Sequence, residues 1–119
     1  FAYSTLMPHV KGGKIRARAV TSASRSRFAP DLPTVADTIP GFTVESWWGV
    51  LAPAATPQPV VNLLNAEIRA IVSSPEMREV FDKEGVDPAS MTAGEFTAFV
   101  RSDIDKWRDV ARKLGIVAE

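Results

Sequence analysis

Two adjacent pairs of residues carry the side chains best suited to hold a small polar molecule. They are the hydroxyls of Thr21 and Ser22 and the indoles of Trp47 and Trp48. Open α/β sheets bind ligands beyond the carboxyl ends of their strands, where hydroxyls and unpaired backbone N–H groups face a crevice. Thr21-Ser22 follows a segment of strand character and fits such a place. Threonine and serine are equally common wherever a strand leaves a sheet, so a purely structural role fits as well. In a strand, neighbouring side chains point to opposite faces, so Trp47 and Trp48 cannot both line one surface. Either one indole walls a ligand cleft, or one packs in a core and the other against a second element or the surface.

Residues that could do covalent or metal chemistry are few. His9 is the one histidine and cysteine is absent, which removes thiolate nucleophiles, thiolate metal sites and disulfides. No second histidine or carboxylate stands at ligand spacing from His9, and no G-x-S-x-G elbow accompanies it. The carboxylate pairs Asp103/Asp105 and Glu76/Glu79 sit among Arg101, Lys106, Arg108 and Arg78, the pattern of a solvated helix face rather than an acid–base dyad. Gly12-Gly13 belongs to neither phosphate-binding glycine pattern. The expectation is a protein that is not an enzyme and uses neither metal nor cofactor.

The elements that would position the candidate residues can be read from periodicity. Tyr3, Leu6, Met7 and Val10 have helical spacing up to the stop signal Gly12-Gly13, with Pro8 opposing a long regular helix. Residues 14–20 alternate strictly, with Ile15, Ala17 and Ala19 on one face and basic side chains on the other, and predict a strand ending at Thr21-Ser22. Residues 23–33 predict a loop, Thr34 to Thr38 a single helical turn, and Pro40-Gly41 a tight turn. Residues 42–51, aromatic and β-branched, predict a second and more central strand.

The remainder reads as three helices. Thr56 with Pro57 predicts the start of the first, whose apolar positions are Val60, Val61, Leu64, Ile68, Ile71 and Val72. Ser74-Pro75 starts a short second helix closed by Gly85. Thr92 and Glu95 form a capping box ahead of a long apolar stripe, Phe96, Phe99, Val100, Ile104, Trp107, Val110, Ala111 and Leu114. Gly115 ends that helix and a tail, 116–119, follows. Two strands do not make a stable sheet. Either sequence upstream supplies more strands, or the chain associates with copies of itself.

Composition narrows the classes. The 119 residues are 45% apolar and 24% charged, ordinary for a globular domain, and the formal net charge is zero. Nucleic-acid binding therefore lacks electrostatic support. Residues 1–45 hold six Lys/Arg and three Asp/Glu, whereas 46–119 hold eight and eleven, a weak bias that favours anions at the front. No apolar run reaches the length of roughly 20 residues needed to span a bilayer.

Several segments together resemble one family. Gly13 to Ser22 is similar to its G-K-[LI]-R-A-x-A-V-T-S strand, and Leu32-Pro33-Thr34-Val35-Ala36-Asp37 with Pro40-Gly41-Phe42 to its V-P-T-V-A-E … P-G-[YF] segment. Trp47 to Pro57 resembles W-x-G-[LV]-x-A-P-A-G-T-P, and Leu64-Asn65-Ala66-Glu67-Ile68, Glu95-Phe96, Trp107 and Gly115-Ile116 complete the order. Asp37 in place of Glu, Thr38-Ile39, and Ala55 in place of Gly depart from the pattern. The family is the Bug-type, or tripartite tricarboxylate transporter, substrate-binding receptors.

The resemblance implies an α/β fold, the C-terminal portion of a two-lobed, type II-like periplasmic-binding-protein fold, with two strands and three C-terminal helices in this chain. Residues 1–45 would end the second lobe, and 46–119 would recross the hinge near Ser46-Trp47 and complete the first. It further implies a periplasmic receptor, with a leader upstream, that captures a small carboxylate (a di- or tricarboxylate or an amino acid) for membrane permease subunits. Such receptors hold carboxylates largely through backbone N–H groups and hydroxyls. Thr21, Ser22, Trp47 and Trp48 are the ligand-binding candidates in this chain. The alternative is a stand-alone helical assembly domain that binds no small ligand.

Overall fold

The computed structural model describes residues 3–116; Phe1, Ala2 and residues 117–119 of the expected tail lie outside the described residues. Helix α1 spans Tyr3–Lys11 and contains Pro8. A proline at that position brings no N–H to the carbonyl one turn back, so the helix is short of one internal bond. It closes through Gly12 N–H to the Pro8 carbonyl (3.0 Å) and Gly13 N–H to the Val10 carbonyl (3.0 Å), with Gly13 at φ 71°. That left-handed conformation is the one glycine adopts without steric cost.

The two expected strands do not form a regular ladder among the described residues. Residues 14–19 and 42–51 have no regular secondary structure, and the bridge recorded among the described residues is one isolated parallel pair, Val20 with Thr34. Alternation marks a segment able to pair, but a strand exists only with a partner ladder, and neither segment meets one among the described residues. What forms instead is a local clasp. Val20 N–H donates to the Pro33 carbonyl and Val35 N–H donates to the Val20 carbonyl, both at 2.9 Å. A 3-10 turn at Val35–Asp37 follows, within the expected 34–38 turn.

Helix α2 runs from Gln58 to Val72. Its N-cap is Pro57 rather than Thr56, and no side chain caps it; the Thr56 N–H is spent in a turn to the Pro53 carbonyl at 3.0 Å. Pro59 in the first turn costs nothing, since the first N–H groups of a helix have no internal acceptor. Helix α3 spans Pro75–Glu84, with Met77 N–H donating to Ser74 Oγ at 3.3 Å, and Gly85 at φ 67° ends it. Helix α4 spans Ala93–Lys113 and begins at the expected capping box. Thr92 Oγ1 accepts from Glu95 N–H at 3.2 Å, and Glu95 Oε2 accepts from Thr92 N–H at 2.8 Å. On its surface Asp105 pairs with Arg108 and Asp109 with Arg112, as expected of a solvated face.

The chain divides into two compact units. One comprises Phe1–Leu51 with Arg78–Asp87, and the other Ala52–Met77 with Pro88–Glu119. In the second unit α2 packs on α4. Asn65 Nδ2 donates to the Met91 carbonyl and Arg69 Nε to Ser90 Oγ, each at 3.0 Å, which pins α2 to the segment leading into α4.

Neither unit contains a buried apolar side chain among the described residues, and the one buried residue is Thr34, at 5% exposure. In α4 the first part of the apolar stripe, Phe96, Phe99 and Val100, is half-buried, whereas Ile104, Trp107, Val110 and Leu114 are exposed. The accessible surface is 9460 Å². Two separate compact domains, each of half this mass, would together expose about 7,600 Å². The apolar faces are formed and aligned, but this chain does not cover them.

Hydrogen bonds from Thr34 hold the Asp37 carboxyl below its ordinary value, and those from Thr92 do the same for Glu95. The unfolded chain therefore binds more protons than the folded one in the window below the ordinary carboxylate pKa, and stability there rises with pH. Both caps contribute fully above that value and are lost as pH falls through the depressed ones. Glu95→Gln should flatten the acid limb of the stability–pH curve, as measured by denaturant unfolding from pH 6 to pH 2.

Candidate functional site

Of the four candidate residues, Thr21 and Ser22 are tied by hydrogen bonds of known partners. The clasp at Val20 brings Thr21 out of the Val20–Thr34 bridge, and the Thr21 carbonyl accepts from Val44 N–H at 2.9 Å. Thr34 anchors the clasp from the other side. Its Oγ1 donates to Asp37 Oδ1 at 2.8 Å and accepts from Asp37 N–H at 3.1 Å, while Asp37 Oδ2 accepts from Thr34 N–H at 3.2 Å. This box was legible beforehand only as a helical turn. Together with the Val20 clasp it fixes both ends of the segment 21–33.

The two hydroxyls are not equivalent. Ser22 is half-buried and its Oγ donates to the Ser24 carbonyl at 2.7 Å, so its one proton is committed. It could accept from a ligand but not donate to one without breaking that bond. Thr21 is exposed, and its side chain enters no hydrogen bond with another described residue, so its proton is available. Of the two hydroxyl protons, the one on Ser22 is engaged within the chain and the one on Thr21 is not engaged by another described residue.

Glu45 is a neighbour that sequence reading missed. Its Oε1 accepts from Ala23 N–H at 3.2 Å, placing a carboxylate on the backbone amide directly after Ser22. Such an amide is itself a natural anion donor, and here it already has an anion. No periodicity or motif marks a lone Glu in an aromatic segment as the partner of a residue 22 positions earlier, so the sequence held no signal for it.

The indoles differ in exposure, Trp47 at 38% and Trp48 at 74%. Thr21 is bonded to Val44, three residues ahead of Trp47, which places both candidate pairs in the first unit. A cavity of about 330 Å³ lies elsewhere, in the second unit beside α2 and α4, lined by Gln58, Val61, Thr97 and Arg101 among others. It includes none of the four candidates. No cluster of three or more His, Asp or Glu able to hold a metal occurs among the described residues. No helix among them is long and apolar enough to cross a membrane.

Thr34→Val should cost about 1 kcal/mol by stripping the cap. The loss should show as faster amide exchange at Val20 and Val35, with α4 amides unchanged.

Comparison with known proteins supplies what the geometry alone does not. Residues 2–116 match the tripartite tricarboxylate transporter family receptor model. The chain is 32% identical over 111 residues to protein BugT of Bordetella pertussis, covering 92% of this chain and 34% of that protein. It is 35% identical over 97 residues to a UPF0065 protein from the tcbD-tcbE intergenic region of Pseudomonas sp. strain P51, covering 80% and 29%. Among solved structures, the periplasmic binding protein BugD superposes with TM-score 0.80 at 31% identity, covering 96% of this chain and 39% of BugD. R. palustris Rpa4515, solved with adipate, superposes with TM-score 0.78 at 31% identity, covering 94% and 38%. The chain thus has the fold of a portion of a periplasmic binding protein, the class expected from its sequence, and spans about a third of the length of its curated relatives.

Proposed function

The chain belongs to the tripartite tricarboxylate transporter receptor family, and we propose that the protein it forms part of is a periplasmic receptor that captures a small carboxylate for that transporter's membrane permease. The observation that carries the reading is likeness across nearly the whole chain to the solved periplasmic binding protein BugD and to Rpa4515, solved with adipate. In this reading residues 1–45 end the second lobe, the chain recrosses the hinge near Ser46-Trp47, and residues 46–119 complete the first lobe. Strands from the remainder of the receptor pair with 14–20 and 42–51. Closure of two lobes on the ligand then presents one defined surface to the permease.

Thr21 contributes the donor. A hydroxyl proton with no internal partner can give a charge-assisted bond to a carboxylate at little reorganisation cost. Ser22 positions the backbone beside it through Ser24, and Glu45 sets a negative limit on that side, disfavouring ligands that bring a second carboxylate to the Ala23 amide. One of Trp47 and Trp48 forms an apolar wall of the cleft.

A second reading has a specific observation in its favour. The exposed stripe Ile104, Trp107, Val110 and Leu114 is what a self-assembling helical domain would also present. The two readings differ in what the rest of the protein does.

The whole receptor should show a raised melting temperature with at least one member of a panel of di- and tricarboxylates, adipate and amino acids. Thr21→Val should weaken binding of that member by about tenfold or more, the scale of one hydrogen bond to a charged group. A panel without any shift, together with a discrete oligomer of this chain in light scattering, would replace the receptor reading with the assembly one.

A further inference from the structure

The segment Arg78–Asp87 belongs to the first unit although the chain on both sides of it, through Met77 and from Pro88, belongs to the second. It consists of the last turns of α3, the Gly85 stop and the residues after it. Two closures shape its end: Gly85 N–H to the Asp82 carbonyl at 3.3 Å and Val86 N–H to the Phe81 carbonyl at 2.9 Å. These bring Asp82 and Asp87 near enough for one guanidinium to reach both.

That guanidinium is Arg27. Its Nη2 donates to Asp82 Oδ1 and its Nε to Asp87 Oδ1, both at 2.6 Å. The same group lies 4.1 Å above the Phe28 ring, and Phe28 meets the Tyr3 ring at 5.4 Å between centroids. Tyr3 in turn lies so close to Gly85 that a Cβ there would overlap the ring. Arg27 is therefore the centre of a chain of contacts, Tyr3–Phe28–Arg27–Asp82/Asp87, that closes back on the segment at Gly85. A planar fork with a flat face suits this double duty; a lysine ammonium offers neither fork nor face.

The hold is ionic and wet. The Arg27, Asp82 and Asp87 side chains are 50%, 46% and 64% exposed. Exposed single ion pairs contribute little, but a network in which one guanidinium joins two carboxylates and lies over a ring is the arrangement in which they count, and salt screens it. Local openings of a protein occur where few buried contacts resist them.

We propose that residues 78–87 form a strap that lifts locally from the first unit, and that Arg27 is its latch. With the latch open, the strap is held by the chain that continues at both ends into the second unit. The inference goes beyond the receptor reading and needs no ligand, so its fate and that reading's are decided separately.

The test is amide hydrogen exchange on the full-length protein. In Arg27→Met, exchange at residues 80–87 should rise about tenfold, the scale of two lost exposed pairs, while α2 and α4 stay as in the wild type. Arg27→Lys should fall in between. Asp82→Asn with Asp87→Asn should match Arg27→Met, and adding Arg27→Met to that pair should change nothing further. In the wild type, raising salt from about 0.05 to about 0.5 M should speed the same amides, and Arg27→Met should abolish that response. A strap that exchanges no faster in Arg27→Met, or a salt response that persists in it, would overturn the latch. If the variant unfolds globally, the wild-type salt series decides: acceleration confined to 80–87 supports the latch, and none refutes it.

Discussion

An amphipathic helix persists in water chiefly because something covers its apolar stripe; propensity and capping alone leave helices of this length marginal. Everything in this chain turns on that condition. α2 and α4 are well formed, with a box at one helix start and glycine at its end, yet the second half of the α4 stripe and much of the α2 stripe stand open to solvent. The caps position the helices, and the stripes specify where a covering surface must be. A receptor whose remaining two thirds packs against those stripes meets the condition. Segments 14–20 and 42–51, which form no regular ladder among the described residues, make the same demand in strand pairing that the helices make in apolar area.

In the first unit the problem is solved differently, by polar ties across short distances. The Thr34–Asp37 box, the Val20 clasp and the Thr21–Val44 bond fix the ends of a loop with no core beneath it. This is enough to set apart two hydroxyls that composition could not separate, one committed and one available.

What the sequence revealed follows from the range of each interaction. The α4 start at Thr92, the Ser74-Pro75 start and the Gly85 and Gly115 stops depend on residues three to five apart, and all were legible. The start of α2 moved by one residue because two prolines, Pro57 and Pro59, leave the cap without a side-chain bond to mark it. The strands were legible as capacity and not as structure, since pairing is a property of two segments. Arg27 with Asp82 and Asp87, 55 and 60 residues apart, and Ala23 with Glu45, 22 apart, obey no period and left no trace. Family resemblance, which integrates many weak local signals in order, carried what no single motif could.

In the proposed receptor the exposed stripe of α4 is an internal surface. Hydroxyl-radical footprinting of the full-length protein, read by mass spectrometry at Ile104, Trp107 and Leu114, tests it directly against the isolated 119-residue chain. The account predicts strong protection of all three side chains in the full-length protein relative to the isolated chain. Equal labelling of these side chains in the two would contradict it.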